Sequence, residues 1–554
     1  MICGFLKRKD QKIVDGQDRE IILKGWGLGN WMLQEGYMWK CPSPRFDRPR
    51  RIEQVVEELT GKEFSQWFWF QFRQNYIRRE DIHAMAQLGY NSVRIPFNYR
   101  MFMEDGPGLV WKPEGFWLLD QCLKWCEAEG IYAFLDLHGA PGGQTGSNID
   151  DSMDNVPRLF IDRDSYDKAI ALWKKLAQRY ADREVVGGYD LLNEPIIPPY
   201  AGNGDFDYLF PKLKQFYKDV IKEIRQVDRV HMLSLEGPHW STDVSIFDCD
   251  YDENMVIHFH RYAEPPEIAC LKPYMEAGRR QGVPLWMGET GENVNEWYSA
   301  LYPLAEGLGI GYNIWPWKKM GKTNSPCGIK PPQGWDEILS YIEGGPHPGY
   351  DRAQSIFCEY LNNVLYENCI HYPEITNHVM RRPPFSIMAV DFDCIPQEMT
   401  MEINKDQKTE KGYRDASGMD IVERFPRPER RFSFDSGWER YGLRLKSGET
   451  VEYSFDPTLL KCPAVHLELE YEADADAVLE ISCVLSNITQ APKASIIKEV
   501  SGIKEATREN GKIQVVLNWE SETDSKVCGL GSRKIQITCI RGSITLVKVS
   551  FDPV

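Results

Sequence analysis

Short apolar runs rich in β-branched and aromatic residues recur through the first two thirds of the chain, and amphipathic stretches separate them. Eight of these runs read as strands: Ile22–Gly25, Ser92–Pro96, Tyr132–Leu137, Gly188–Leu192, Met232–Leu235, Met255–Phe259, Leu285–Gly288 and Tyr312–Trp315. Between them, apolar residues return at three- and four-residue steps over Phe116–Glu129, Ser165–Tyr180 and Phe210–Gln226, which predicts helices. Strands alternating with helices in this number predict an α/β fold, a (β/α)8 TIM barrel with inserted loops. A doubly wound sheet would need a glycine-rich phosphate turn after its first strand. Gly25-Trp26-Gly27-Leu28-Gly29 lacks the third glycine's spacing.

Gly344-Gly345-Pro346-His347-Pro348-Gly349 punctuates the end of this pattern, and a last helix over Arg352–Tyr366 completes the barrel, assigned to residues 1–375. From residue 385 the period changes to two. Runs at Thr450–Phe455, Val465–Tyr471, Val478–Cys483, Ile513–Leu517, Lys534–Cys539 and Ile544–Phe551, with no long helix, predict a β-sandwich over residues 385–554. The charged stretch Asp406–Ser417 reads as a loop. Of 17 tryptophans only Trp438 and Trp519 lie in the second part. With Tyr441, Tyr453 and Tyr471 they are its candidates for stacking on sugars, and a purely structural role for the sandwich stays open.

The net charge of −17 argues against a nucleic-acid partner and against docking on anionic membranes, and it suits a neutral substrate. No stretch approaches the length of apolar residues that a membrane span needs. The first ten residues contain no signal-peptide core, so the expected location is the cytoplasm, or outside the cell if a leader has been removed. The 14 cysteines are scattered through apolar runs and read as structural thiols. No Cys/His cluster has zinc spacing, and neither a metal nor a cofactor is expected.

In a barrel, side chains available for chemistry sit at the C-terminal ends of the strands. Those ends offer Arg94, His138, Asn193-Glu194, His258 and His260, Glu289 and Trp315; the fifth strand alone among those after the second offers nothing of catalytic type. Two are glutamates, at strands four and seven. Hydrolysis of a glycosidic bond needs one protonated carboxyl group to help the leaving oxygen depart and one ionised group opposite it. Asn193 can hydrogen-bond a sugar hydroxyl, and Pro195 stiffens the turn that carries Glu194.

Several motifs then share an order: Ser92-Val93-Arg94-Ile95-Pro96, Asp136-Leu137-His138-Gly139-Ala140-Pro141-Gly142, Leu191-Leu192-Asn193-Glu194-Pro195, His260-Arg261-Tyr262, Gly288-Glu289 and Trp315. In these the chain resembles glycoside hydrolase family 5. The resemblance implies a retaining β-glycosidase with Glu194 as acid/base and Glu289 as nucleophile. It implies that Arg94 keeps Glu289 ionised, that His138 and Asn193 line the −1 subsite, and that Tyr262 bonds the nucleophile. His260 would stand near the acid/base, and Trp315 would be the stacking floor. Either His258 or His260 could be the motif histidine; Pro265 following Tyr262 favours His260.

Gly29-Asn30-Trp31-Met32-Leu33-Gln34-Glu35 and His138–Gln144 further resemble the exo-β-glucanase branch of that family. By that analogy Glu35, Asn148 and Asp151 are candidate substrate contacts, in a pocket that trims the ends of β-glucan-type oligosaccharides or polysaccharides. The chain departs from the branch after Gln144, so its linkage is not carried over. An endo-acting cellulase or mannanase is the alternative reading. A barrel that binds carbohydrate without cutting it, and a metal-dependent enzyme on the same fold, fit the strand-end residues less well.

Overall fold

A computed structural model describes residues 2–202, 204–393, 398, 412–424, 434–472, 477–485, 495–500, 511–518 and 533–554. The chain divides into two compact units, one of Met1–Arg261, Pro273–Glu292 and Gly309–Tyr372, the other of Tyr262–Lys272, Asn293–Leu308 and Pro373–Val554.

The first unit contains a closed barrel of eight parallel strands: β1 (Lys24–Gly27), β2 (Ser92–Asn98), β3 (Tyr132–Gly139), β4 (Val186–Asp190), β5 (Met232–Glu236), β6 (Met255–Arg261), β7 (Leu285–Gly291) and β8 (Gly311–Trp315). Each follows its predecessor in the ring and β8 closes on β1. The predicted helices form at Glu114–Glu129, Arg163–Tyr180, Phe210–Arg225 and Tyr350–Asn363. Leu172, Trp173, Leu176 and Tyr180 of the second of these are buried, the apolar stripe that period 3.6 places on one face. Asp162 caps that helix, its carboxylate accepting from the Ser165 amide at 3.0 Å.

At the N-terminal end of the barrel, a hairpin of Lys7–Lys9 and Lys12–Val14 contributes Leu6 and Ile13 to a cluster with Tyr132, Phe134, Met232, Val256 and Trp286. This apolar plug closes the bottom, where side chains of strand starts would otherwise meet water.

The second unit holds two antiparallel sheets that make the β-sandwich. One runs in the order Asp420–Glu423, Tyr441–Lys446, Ser543–Pro553, Ala464–Glu472, Gly511–Asn518, with Phe385–Met388 also pairing Ser543–Pro553. The other runs Thr450–Phe455, Arg533–Arg541, Ala477–Leu485, Ser495–Val500. The six strands read from period two are all present. Alternation is direct in Arg533–Arg541, where Ile535, Ile537 and Cys539 are buried.

The core claims most of the aromatics considered for sugar stacking. Trp438 is fully buried and donates to Asp391 at 2.8 Å, and Tyr453 is fully buried and donates to the Ala389 carbonyl at 2.7 Å. Tyr441 stacks on Tyr413 at 5.3 Å. Trp519 and residues 406–411 of the expected loop lie outside the described residues.

Candidate active site

Period two along the barrel strands turns alternate residues inward. On β2 this places Arg94 inside, on β3 Asp136 and His138, on β5 Ser234 and Glu236, and on β6 both His258 and His260. Inside an apolar wall such residues must satisfy one another.

Arg94 is fully buried and does this for four acidic residues. Its guanidinium donates to Glu289 Oε2 at 2.6 Å, Asp190 Oδ2 at 2.7 Å, Asn193 Oδ1 at 2.8 Å and Glu236 Oε1 at 3.0 Å, and Asp136 Oδ2 lies 3.1 Å away. A planar five-donor fork can reach this many acceptors, which an ammonium cannot.

Glu194 sits beyond the end of β4, in a turn rather than on the strand. It adopts φ +42, and Ile196 φ +55, in the left-handed region that side chains rarely enter. Pro195 disfavours the helical region for the residue before it, so this turn is strained. Three bonds hold it in place. The Glu194 amide donates to Glu236 Oε2 at 2.7 Å, and Gln144 Nε2 donates to the Asn193 carbonyl at 2.9 Å and the His138 carbonyl at 2.7 Å.

His260 is the histidine beside Glu194, with Nδ1 2.7 Å from Oε1. His258 lies one layer deeper, its Nδ1 3.0 Å from Asp190 and from Ser234 Oγ and its Nε2 3.1 Å from His260. Burial alone would lower the His260 pKa. The carboxylates of Glu236 and Glu289 and the bond to Glu194 reverse this and hold it well above the ordinary histidine value. Burial likewise raises the Glu194 carboxyl; His260 opposes this and the Glu289 charge adds to it, so the net shift is upward. Burial also pushes up Glu236, but His258, His260 and Arg94 overcome it and keep that carboxylate ionised.

His138 bonds Asp136 at 2.8 Å through Nδ1, and its Nε2 lies 3.2 Å from Asn193 Nδ2. Burial and Arg94 lower its pKa to about 4, so the ring is neutral and accepts the Asn193 amide proton. Trp315 stacks on it, centroids 5.3 Å apart and planes 3° from parallel. The indole occupies space left by two glycines: a Cβ at Gly27 would approach it to 2.5 Å and one at Gly29 to 2.7 Å. The glycines at and just past the end of β1 therefore make room for the tryptophan.

Gly288 has a similar reason. A Cβ there would stand 2.1 Å from His258 Nε2. Gly288→Ala should displace His258 and with it the Glu236–His260 layer, costing about 1–3 kcal/mol as overpacking does. Thermal melting and kcat should both fall; an unchanged melting temperature and kcat would show that the layer yields freely.

Glu35 reaches the site from the loop after β1. It is 9% exposed, and among the described residues no donor meets its carboxylate. Burial, then the charges of Glu289, Glu292 and Glu194, raise its pKa well above the ordinary range. Two expected contacts are not gathered in. Asp151 is 1% exposed and is taken up by Asn98 Nδ2 at 2.8 Å, the Arg50 amide at 2.9 Å and Arg100, which makes it an anchor for its loop. Asn148 is exposed, its Oδ1 accepting from Ser147 Oγ. Tyr262 begins the second unit, where its ring packs 5.0 Å from Phe434 and its carbonyl accepts from Asn293.

The fifth strand corrects the reading from sequence. It extends one residue further than expected, to Glu236, which is fully buried and touches Arg94, Glu194, His258 and His260. Ser234 and Glu236 are the period-two signal that an apolar run ending at Leu235 concealed. Donor atoms of Glu194, His260 and Glu289 lie within 4.8 Å of one another, as do those of Glu236, His258 and His260. Such spacing could hold a cation, but Arg94 already balances these carboxylates and His260 is driven toward its protonated form, which cannot ligate.

Residues 53–321 match the model of the cellulase family, glycosyl hydrolase family 5. The chain is 35% identical over 301 residues to a β-xylosidase of Phanerodontia chrysosporium, covering 54% of this chain and 59% of that one. It is 28% identical over 314 residues to a glucan 1,3-β-glucosidase of Candida oleophila, covering 52% and 70%. It is 27% identical over 190 residues to endoglucanase C of Acetivibrio thermocellus, covering 34% and 50%. The chain thus spans well under two thirds of the β-xylosidase, and the matched region takes in every barrel strand after the first. On these matches, residues 53–321 of the barrel unit are similar to glycosyl hydrolase family 5.

Proposed function

We propose that this protein is a retaining β-glycosidase that releases sugars from the ends of β-glucan-type chains or from short β-glycosides. The observation that carries the reading is the pair Glu194 and Glu289, each with a carboxylate oxygen within 4.8 Å of the other. Retaining enzymes hold their two carboxyl groups about 5–5.5 Å apart, and inverting ones leave room for a water at about 6.5–9.5 Å.

The two environments divide the roles. Arg94 bonds Glu289 and stabilises its charge, as a nucleophile needs. Burial and the neighbouring Glu289 charge favour the protonated form of Glu194, as an acid needs. In the first step Glu289 attacks the anomeric carbon while Glu194 protonates the departing oxygen. Glycosylation removes the Glu289 charge and the proton of Glu194, so Glu194 then accepts a proton from water as that water displaces Glu289. Asn193, fixed by Arg94 and His138, is placed to bond the 2-hydroxyl, and Trp315 backs the sugar face. End-on cleavage is supported by Glu35, whose carboxylate is left for a sugar hydroxyl.

The test is the leaving-group dependence of Glu194→Ala. Glycosylation should survive with a dinitrophenyl leaving group and fall roughly 10²–10⁴-fold with an alkyl one. Equal losses on both would reject Glu194 as the acid. Product lengths from a β-glucan oligosaccharide decide the mode: single sugars from one end support the pocket, mixed lengths an endo-acting cleft.

A further inference from the structure

Three residues of the barrel mouth belong to none of the motifs above. Lys319 is 1% exposed and ion-paired to Glu292 Oε1. Tyr37 donates to Glu292 Oε2 at 3.4 Å and accepts the Trp315 indole N–H at 2.9 Å. The Lys319 ammonium stands 6.0 Å from the centre of the Tyr37 ring. Glu292 lies three residues after Glu289 and takes φ +49. A buried ion pair and a strained backbone both oppose folding, and such costs gather where function requires them.

Their origin in the barrel indicates what they face. Glu35 and Tyr37 follow β1, Glu292 follows β7 and Lys319 follows β8, three strands that are hydrogen-bonded neighbours. Glu194, Glu236 and His260 come from β4, β5 and β6 on the other side. The leaving group departs on the side of the acid, so the sugar kept by the enzyme extends toward the β7–β8–β1 side. Its anomeric carbon and 2-hydroxyl are taken by Glu289 and Asn193. The edge carrying C4 and C6 then meets Glu35, Glu292 and Lys319.

We infer that the Glu292–Lys319 ion pair, tied to the Trp315 floor by Tyr37, is the specificity-determining contact for the 4- and 6-hydroxyls of the bound sugar. It rests on the glycosidase reading above. Glu292 accepts from a hydroxyl while Lys319 and Tyr37 fix its orientation. A neutral sugar with a free 4-hydroxyl fits, whereas a further sugar attached there would have to displace the pair. The nearby Glu35 carboxyl, which burial and three carboxylates hold toward its neutral form, can act as a donor to the same edge.

The experiment compares kcat/KM for an aryl β-glucoside and its 4-deoxy and 6-deoxy analogues in the wild type, Glu292→Gln and Tyr37→Phe. In the wild type at least one deoxy analogue should lose about 10- to 100-fold, the range of a hydrogen bond to a charged group. In Glu292→Gln the parent substrate should fall by a similar factor, leaving a penalty of no more than a few-fold. Tyr37→Phe removes one neutral hydroxyl and leaves both charges paired, so it should fold normally; it should shrink the penalty severalfold. It decides the matter if Glu292→Gln does not fold. Equal rates on all three substrates in the wild type overturn the inference, as does an undiminished penalty in the variants. A wild type inactive on the aryl β-glucoside would instead remove the glycosidase reading beneath it.

Discussion

Glu289→Ala should lower turnover of an aryl β-glucoside by roughly 10⁴-fold or more, because among the described residues no other group stands ready to form the covalent intermediate. The truncation leaves a space below the anomeric carbon, lined by Arg94, which lies 2.6 Å from the missing oxygen's place. A small anion such as azide should enter it and restore turnover. Attack from that face inverts the anomeric centre, so the product should be the α-glycosyl azide. In Glu194→Ala the nucleophile remains and azide enters from the opposite face after glycosylation, giving the β-glycosyl azide. NMR of the two products separates the roles. Wild-type rates in Glu289→Ala, or the same anomer from both variants, would contradict the assignment.

Removing Arg94 should have the largest effect on stability. Arg94→Met leaves Asp136, Asp190, Glu236 and Glu289 crowded in an apolar wall without their shared cation. Breaking a buried pair from one side costs about 3–5 kcal/mol, and here several partners are stranded at once. The deficit should depend on pH. Burial already raises Asp136, and the guanidinium opposes that rise. Without it Asp136 should titrate still further above its unfolded value. Such a group favours the folded state at acidic pH, and that contribution is lost as pH rises. Denaturant unfolding should therefore show a smaller deficit near pH 5 than near pH 8. A deficit independent of pH, or none, would mean the carboxylates relax to water. Activity should also fall steeply, since Glu289 loses the guanidinium that holds its carboxylate in place at 2.6 Å.

The eight barrel strands were legible because each is a short apolar run bounded by helical or turn sequence. Their ends were less so. The fourth was read through Leu192 but stops at Asp190. Leu191 and Leu192 are fully buried all the same. Apolarity reports burial, not membership of the hydrogen-bond ladder, and at a barrel rim the two part company. In the sandwich, Phe385–Met388, Asp420–Glu423, Tyr441–Lys446 and Ser495–Val500 went unread, being short or, as in Tyr441–Lys446, interrupted by glycine and charge.

What the sequence determined by itself is the barrel pattern and the residues that carry recognisable motifs: Arg94, His138, Asn193, Glu194, His260, Glu289 and Trp315. Local period and turn chemistry suffice to place these at strand ends. Tertiary structure alone decided which polar residues converge on them and which do not. Glu236 lies 42 positions from Glu194, and Glu292 lies 255 from Tyr37. No local pattern links such pairs, and each buried charge is tolerated only because the closed barrel brings its partner across. The same closure set aside Asp151, whose charge is consumed by Arg50 and Arg100 from the segments after β1 and β2. The glutamates at strands four and seven were visible in the chain; the ion pair that faces the far edge of the sugar became visible only when β7, β8 and β1 closed the ring.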